Sequence, residues 1–473
     1  MLVAWGGHGK GTPTEVSSGG KQDMAGMNRD FLVPPGSEVY RAATTPHNSS
    51  VTQQPIAVAQ PQRAEDVADV VRWAAEHGVG VAVQASGHGA GATINEDRVL
   101  IDTSSMTQLS IDVDAGIAHV GAGMTWSALN AEAEEYGLMG LAGSSPSVAV
   151  AGYSFGGGVG WLNRPYGMAS NRLLAVDYVD GDGRLRRAAD DADDAVDREA
   201  LWAFRGGGGV GVATAVSIEL VAPPDLWAGF RLWPIDVLEP VVAAWSTAMD
   251  SVGDALSTSI SVLHTPPDAP LPPPLRGVPV VHLAFASPMG PETAAPLTDA
   301  LRAAPSPVFD SPWARADAAR LAQIHLDPPG PLPALGLGRW LDASATSVAA
   351  ETLAWAAALD SPVKMVEVRN VGHPDSARRG ALTAVPGAFL LHAVGLAADD
   401  DSRAATEDAL ARLESTAGPA DIGLAAAAFA EGRAEVADGL PADALQRLVA
   451  VRAAIDPQAR ILPTRLMGGA AGA

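Results

Sequence analysis

Read from the N-terminus, the first clear periodicity runs from Ala64 to His77. Val67, Val70, Val71 and Ala74 fall on one helical face, and Glu65 and Asp66 occupy the first turn. Gly78 ends the helix, and Val79 to Val83 reads as a short buried strand leading into Gln84-Ala85-Ser86-Gly87-His88-Gly89-Ala90-Gly91. Arg98 to Ile101 is a further apolar run. Leu109 to Val113 and Ile117 to Val120 flank Asp114-Ala115-Gly116, which predicts a β-hairpin. Trp126 to Tyr136 has helical spacing, and Leu173 to Val179 with Arg184 to Arg187 forms a second hairpin around Asp180-Gly181-Asp182-Gly183. Ala200 to Phe204, Arg205 and four glycines lead to a strand over Val212 to Leu220.

Pro223-Pro224 marks a change. Beyond it, strand-like runs at Ser257 to His264, Val278 to Phe285, Val363 to Val368 and Ala388 to Val394 alternate with alanine-rich helical stretches, separated by proline-rich loops. That order predicts an α+β fold whose second part is an antiparallel sheet covered by helices. Pro441 to Ala454 is helical again. The expected divisions are a flexible leader over 1–30, a first part over 31–222, a second over 223–422 and a closing segment over 423–473. A chain of 473 residues exceeds what one core usually holds.

Charge and composition narrow the function. The net charge of -23 repels phosphate backbones and anionic lipids, which argues against nucleic-acid and membrane partners. The chain has no cysteine, so disulfides, thiolate nucleophiles and cysteine metal sites are excluded, and no metal site is expected. The first 28 residues lack the basic start and apolar core of a secretion signal, with Met24 or Met27 as alternative starts, and the expected location is cytoplasmic.

Three glycine clusters, Gly87 to Gly91, Gly152 to Gly160 and Gly206 to Gly211, stand in the first part. Glycine permits tight turns and lets bare N–H groups approach a pyrophosphate. None of the clusters has the strand–G-x-G-x-x-G–helix setting of a Rossmann fold, so a dinucleotide here requires another scaffold.

The order Val81 to His88, Leu141 to Gly160, Asn163-Arg164-Pro165-Tyr166-Gly167, then Trp202 to Gly209, resembles the berberine bridge enzyme-like FAD-linked oxidases of the vanillyl alcohol oxidase superfamily. The likeness is strong over 31–222, weak through Val366 to Arg369, and returns at Leu445 to Pro457. It implies a two-part PCMH-type FAD-binding domain, built from 31–222 and 423–473, with a substrate domain laid over the flavin. It also implies a covalent bond from His88 to the flavin 8α-methyl. Ser145 stands where many relatives have a second, cysteinyl link, so that bond is not expected. The implied FAD contacts are Gln84, Ala85, Ser86, Gly87, Gly89 and Ala90 around His88, with Gly121 and Gly123 near the adenosine. Gly143, Ser144, Ser145, Val148, Ala149, Gly152, Tyr153, Gly156, Gly157, Gly160 and Val212 complete the set.

The chain departs from the family at several places. Gln84 replaces the usual Arg, Gly209-Val210 an Asn-Phe pair, and Val159 a frequent active-site Tyr; no C-terminal Asn-Tyr motif is present. Flavin oxidation needs a proton acceptor near the donor carbon. Glu367 is the first choice, with Arg369 and His282 as further candidates beside His264 and His392. Residues 365, 367 and 369 share one strand face, where Glu367 and Arg369 alternatively form a structural ion pair. The expected reaction is oxidation of a small natural-product intermediate with O2 as acceptor, by a monomer or homodimer. A flavin oxygenase or oxidative cyclase, and a non-redox protein with relic flavin, are the alternatives.

Overall fold

The computed structural model describes residues 32–328, 330–372 and 378–467, so the leader expected over 1–30 lies outside the described chain. The described strands form three sheets that follow one another along the sequence.

The first sheet holds β1 (Leu32–Val33), β2 (Ala57–Ala59), β3 (Gly80–Gln84) and β4 (Arg98–Asp102), in the order β1-β2-β4-β3. β2, β4 and β3 run parallel, so the chain must cross over between β2 and β3. The helix Ala64–His77 makes that crossing with Val67, Val70, Val71 and Ala74 buried, and Gly78 closes it at φ 66°. The C-terminal helix Ala442–Ile455 is followed by Asp456, whose carboxylate accepts the N–H groups of Arg460 and Ile461. That turn lays Ile461 against Val81, where Leu462 N–H donates to the Val81 carbonyl at 2.7 Å. The tail therefore covers the open edge of β3 and completes the first domain from the far end of the chain.

The second sheet is antiparallel. It contains β5 (Leu109–Asp112), β6 (Ile117–Gly121), β7 (Leu173–Val179), β8 (Leu185–Ala189) and β9 (Val212–Glu219), in the order β5-β6-β9-β7-β8. Both predicted hairpins are present. The apolar run from Val148 starts extended and becomes the helix Val150–Phe155.

The third sheet has eight antiparallel strands: β10 (Trp227–Pro234), β11 (Ser257–His264), β12 (Pro279–Ser287), β13 (Phe309–Arg315), β14 (Ala334–Leu341), β15 (Val363–Asn370), β16 (Phe389–Leu396) and β17 (Asp421–Ala425). Their order is β13-β10-β12-β11-β15-β16-β14-β17. Side chains alternate between the faces. Ile260, Val262, Leu283, Phe285, Val366, Val368 and Leu391 pack under the helices Leu238–Met249, Ala345–Leu353 and Asp400–Ala417. The opposite face brings Ala228, Phe230, Leu232 and Ala284 into one core with Val150, Trp161 and Leu162 of the first domain. The boundary expected between residues 422 and 423 falls inside β17, which pairs with β14; backbone pairing keeps the strand with the third sheet, and the chain leaves it only after Ala425.

Candidate functional site

The first glycine cluster follows directly from β3. Gly87 has φ +71°, and a Cβ there would stand 2.8 Å from Pro46, so both conformation and space require glycine. The backbone N–H groups of Ser86, Gly87, His88 and Gly89 donate to no protein acceptor among the described residues. Four successive unpaired N–H groups on one turn make an anion-binding concavity. Gln84 is tied to the scaffold instead: it donates to the Ala43 carbonyl at 3.0 Å and accepts from Gln53 at 2.8 Å. Ala85 and Ala90 are half-buried on either side of the turn.

His88 stands at the end of this turn. Its Nδ1 is 3.1 Å from Ser86 Oγ, which also accepts the Ala149 N–H, and its Nε2 is 3.3 Å from both Ser145 Oγ and Ser147 Oγ. The His47 ring stacks on it at 3.6 Å and 12°. Burial, reinforced by His47, pushes the His88 pKa down to about 4, so the imidazole is neutral and keeps a ring lone pair at neutral pH.

The remaining glycines divide into two kinds. At Gly121, Gly123 and Gly160 a Cβ would come within 2.2 Å of backbone carbonyls of Met106, Thr103 and Ala142, so these positions fix close chain approach. Gly143 is pressed by the Tyr153 ring, and Gly157 adopts φ +103°. At Gly152 nothing lies within 4 Å of an added Cβ, and at Gly156 the nearest atom is 3.6 Å away, leaving one side of the helix Val150–Phe155 bare. Val148 lends its carbonyl to Trp126 N–H, and Val212 pairs with Val179 in the sheet.

The strand register assembles a second set of groups on the third sheet. Leu232 lies opposite His282, His282 opposite Ser261, Ser261 opposite Glu367, Glu367 opposite His392, and His392 opposite Gly338. Directly paired residues share a face, so this is one row crossing six strands, turned toward the first domain. Arg369 occupies the next row, opposite Ser259. His264 lies on the other face and bonds the Ala356 carbonyl at 2.9 Å.

Glu367 of this row and Arg369 of the next are fully buried and joined twice, at 3.1 and 2.9 Å. His325 Nε2 also reaches Glu367, at 3.3 Å, while its Nδ1 binds Asp327 at 2.6 Å. Charges therefore alternate along Asp327, His325, Glu367 and Arg369, and the Arg369 guanidinium lies 4.6 Å over the Trp161 ring. Burial opposes charge on His325, but Asp327 and Glu367 outweigh it and push the imidazole up to about 10. Burial would raise the Glu367 carboxyl, yet Arg369 and His325 hold it well below the usual range. Asp327 is likewise lowered against its burial, by His325 and by a hydrogen bond from Ser144. His282 is lowered to about 4, by burial first and then by His325; it accepts from Ser261 at 3.0 Å and donates to the Ile324 carbonyl at 2.9 Å. Burial pushes the Tyr153 phenol up, and its hydroxyl has no partner among the described residues.

The structure thus places Glu367, Arg369 and His282 together, each hydrogen-bonded to its neighbours. His47, His325, Asp327 and Glu431 did not emerge from the sequence pattern. Leu326, between His325 and Asp327, has φ 67°, the left-handed region that Leu seldom occupies, and this turn directs both flanking side chains toward the row.

Residues 55–189 match the model of a family described as the FAD binding domain. Those residues are an FAD-binding domain. The chain is 32% identical over 215 residues to (R)-6-hydroxynicotine oxidase of Paenarthrobacter nicotinovorans, covering 44% of this chain and 46% of that protein. It is 32% identical over 222 residues to berberine bridge enzyme-like 28 of Arabidopsis thaliana, covering 44% and 40%. The matches thus span about half the length of these relatives or less. The solved 6-hydroxy-D-nicotine oxidase from Arthrobacter nicotinovorans superposes with TM-score 0.76 at 22% identity, over 91% of this chain and 95% of that one. That likeness extends the shared fold across the third sheet. FAD fits the residues present: four unpaired N–H groups suit a pyrophosphate, and the bare glycine face suits a flat ring system.

Proposed function

We propose that the protein is an FAD-dependent oxidase of a small organic molecule, with the flavin bonded to His88 and O2 as the electron acceptor. The observation that carries this reading is His88 at the end of an unpaired N–H turn, its ring held by Ser86, Ser145 and Ser147 and stacked on His47. Attachment through a ring nitrogen requires a lone pair, which burial preserves down to about pH 4. The bound FAD supplies two-electron redox chemistry. The chain's own groups hold the pyrophosphate by N–H donation, fix the His88 plane between Ser86, Ser145, Ser147 and His47, and surround the substrate space with a buried polar row. A donor carrying a hydroxyl or amino group suits this row, because His392 Nδ1 is buried there without a partner among the described residues and such a group satisfies it. The net charge of -23 argues against nucleic acid as substrate or partner.

Acid precipitation of purified protein tests the attachment: yellow colour should stay with the polypeptide, on one peptide containing His88. Anaerobic mixing with 6-hydroxynicotine or a glucooligosaccharide, followed by oxygen, tests the chemistry. Bleaching of the flavin and one hydrogen peroxide per turnover are expected. Incorporation of labelled oxygen into product would reassign the protein as an oxygenase, and a flavin that no organic donor reduces would remove the redox reading.

A further inference from the structure

Oxidation of an alcohol or amine releases a proton as the carbon–hydrogen electron pair leaves, so the site needs an acceptor with a free lone pair. The described residues of the polar row narrow the choice. Glu367 spends both carboxylate oxygens on Arg369 and His325. His325 gives one ring nitrogen to Asp327 and the other to Glu367. His282 donates Nε2–H to a carbonyl and accepts a serine hydroxyl at Nδ1. His392 differs. Its Nε2 lies 3.1 Å from Glu431 Oε1, and its Nδ1 is buried with no hydrogen-bond partner among the described residues.

We propose that His392 is the proton acceptor of the reaction, with Glu431 as its positioning residue. This rests on the oxidase reading above. The geometry sets the tautomer: a carboxylate accepts only from an N–H, so Nε2 carries the proton and the lone pair is left on Nδ1. His392 stands beside Glu367 in the row, on the face turned toward the FAD-binding domain. Glu431 is held from behind by dense backbone. Gly336 N–H donates to the Glu431 carbonyl, and a Cβ on Gly336 would collide with the carboxylate. The Phe429 ring meets the imidazole edge-on at 5.0 Å, restricting its rotation. In the reaction the donor's C–H bond breaks and its electron pair passes to the flavin. The O–H or N–H proton on the neighbouring atom goes to Nδ1, giving an imidazolium stabilised by Glu431. Oxygen afterwards takes the two electrons, leaving as hydrogen peroxide with the two protons.

Three measurements test this on the flavin-loaded protein. Imidazole nitrogen NMR of the resting protein should show the His392 Nδ1 without a proton and Nε2 with one, and Glu431→Gln should mix the two tautomers. In stopped flow with 6-hydroxynicotine, His392→Ala should slow anaerobic flavin reduction by about 10²–10⁴ with FAD content unchanged. Glu431→Gln should slow reduction about tenfold, also with FAD content unchanged. A protonated Nδ1 in the resting protein, or reduction at the parental rate by His392→Ala, overturns the proposal. If no donor reduces the parent flavin, the oxidase reading fails separately, and the NMR tautomer still decides whether the lone pair is where the proposal needs it.

Discussion

The two halves of the site are built in opposite ways. Around His88, the continuous stretch from Ser86 to Gly89 provides the turn, the unpaired N–H groups and the imidazole, and its order in space follows its order in sequence. On the third sheet, the row from His282 to His392 draws one residue from each of several strands, with neighbours more than 20 and up to about 100 positions apart. The first half leaves backbone donors open for a ligand. The second half satisfies almost every group internally, in the alternating chain Asp327, His325, Glu367 and Arg369. The contrast separates a turn whose donors are left open from a surface whose polarity is mostly spent on holding itself in place.

The largest effect expected concerns the open half. His88→Ala should remove all acid-stable flavin, leaving FAD either absent or released on denaturation, because no cysteine is available for another link. Flavin still fixed to that variant would show that a different residue makes the bond. In the closed half, Glu367→Gln should leave Arg369 buried without its counter-charge and cost about 3–5 kcal/mol in urea unfolding. A variant with the parental midpoint would mean that the pair contributes nothing beyond what a neutral amide supplies.

The same contrast explains what was legible in the sequence. The hairpins around Asp114-Ala115-Gly116 and Asp180 to Gly183, the helix Ala64–His77 and the glycine turn at His88 are local, and their residues announce them. The shared face of Glu367 and Arg369 was also readable, since a strand has period two. The bond from His325 to Glu367 was not, because His325 lies in a turn after β13 and meets β15 only through tertiary packing. His392 is a single histidine in an apolar strand. Its distinction comes from Glu431, which lies beyond β17 and meets it only in the folded chain.

The charged chain should also leave a pH signature. His325 is raised to about 10 in the folded protein, against 6.5 ordinarily, so its contribution is complete below about pH 6.5 and is lost as pH rises through 10. Glu367 and Asp327 are lowered, so their contributions are present above the ordinary carboxylate range and are lost as pH falls through their folded values. Thermal melting from pH 6 to 10 should show an alkaline decline that is smaller in His325→Gln. An unchanged slope would mean that the imidazolium is not retained.

The smallest effect expected lies at Leu326, and it tests whether the turn joining the two halves is strained. A Leu at φ 67° carries a penalty of about 1–2 kcal/mol relative to the right-handed region, which glycine does not. Leu326 is partly buried against the core shared by both domains, so its removal also loses apolar contact. The two effects oppose one another. Leu326→Gly should therefore change stability by less than about 1 kcal/mol, whereas Leu321→Ala, at a buried helical position with ordinary geometry, should cost about 2–5 kcal/mol. If Leu326→Gly proved as costly as Leu321→Ala, relief of strain would be absent and packing alone would hold the turn. A near-neutral variant with slowed flavin reduction would instead indicate that the strained backbone is retained because it keeps His325 and Asp327 aimed at the row.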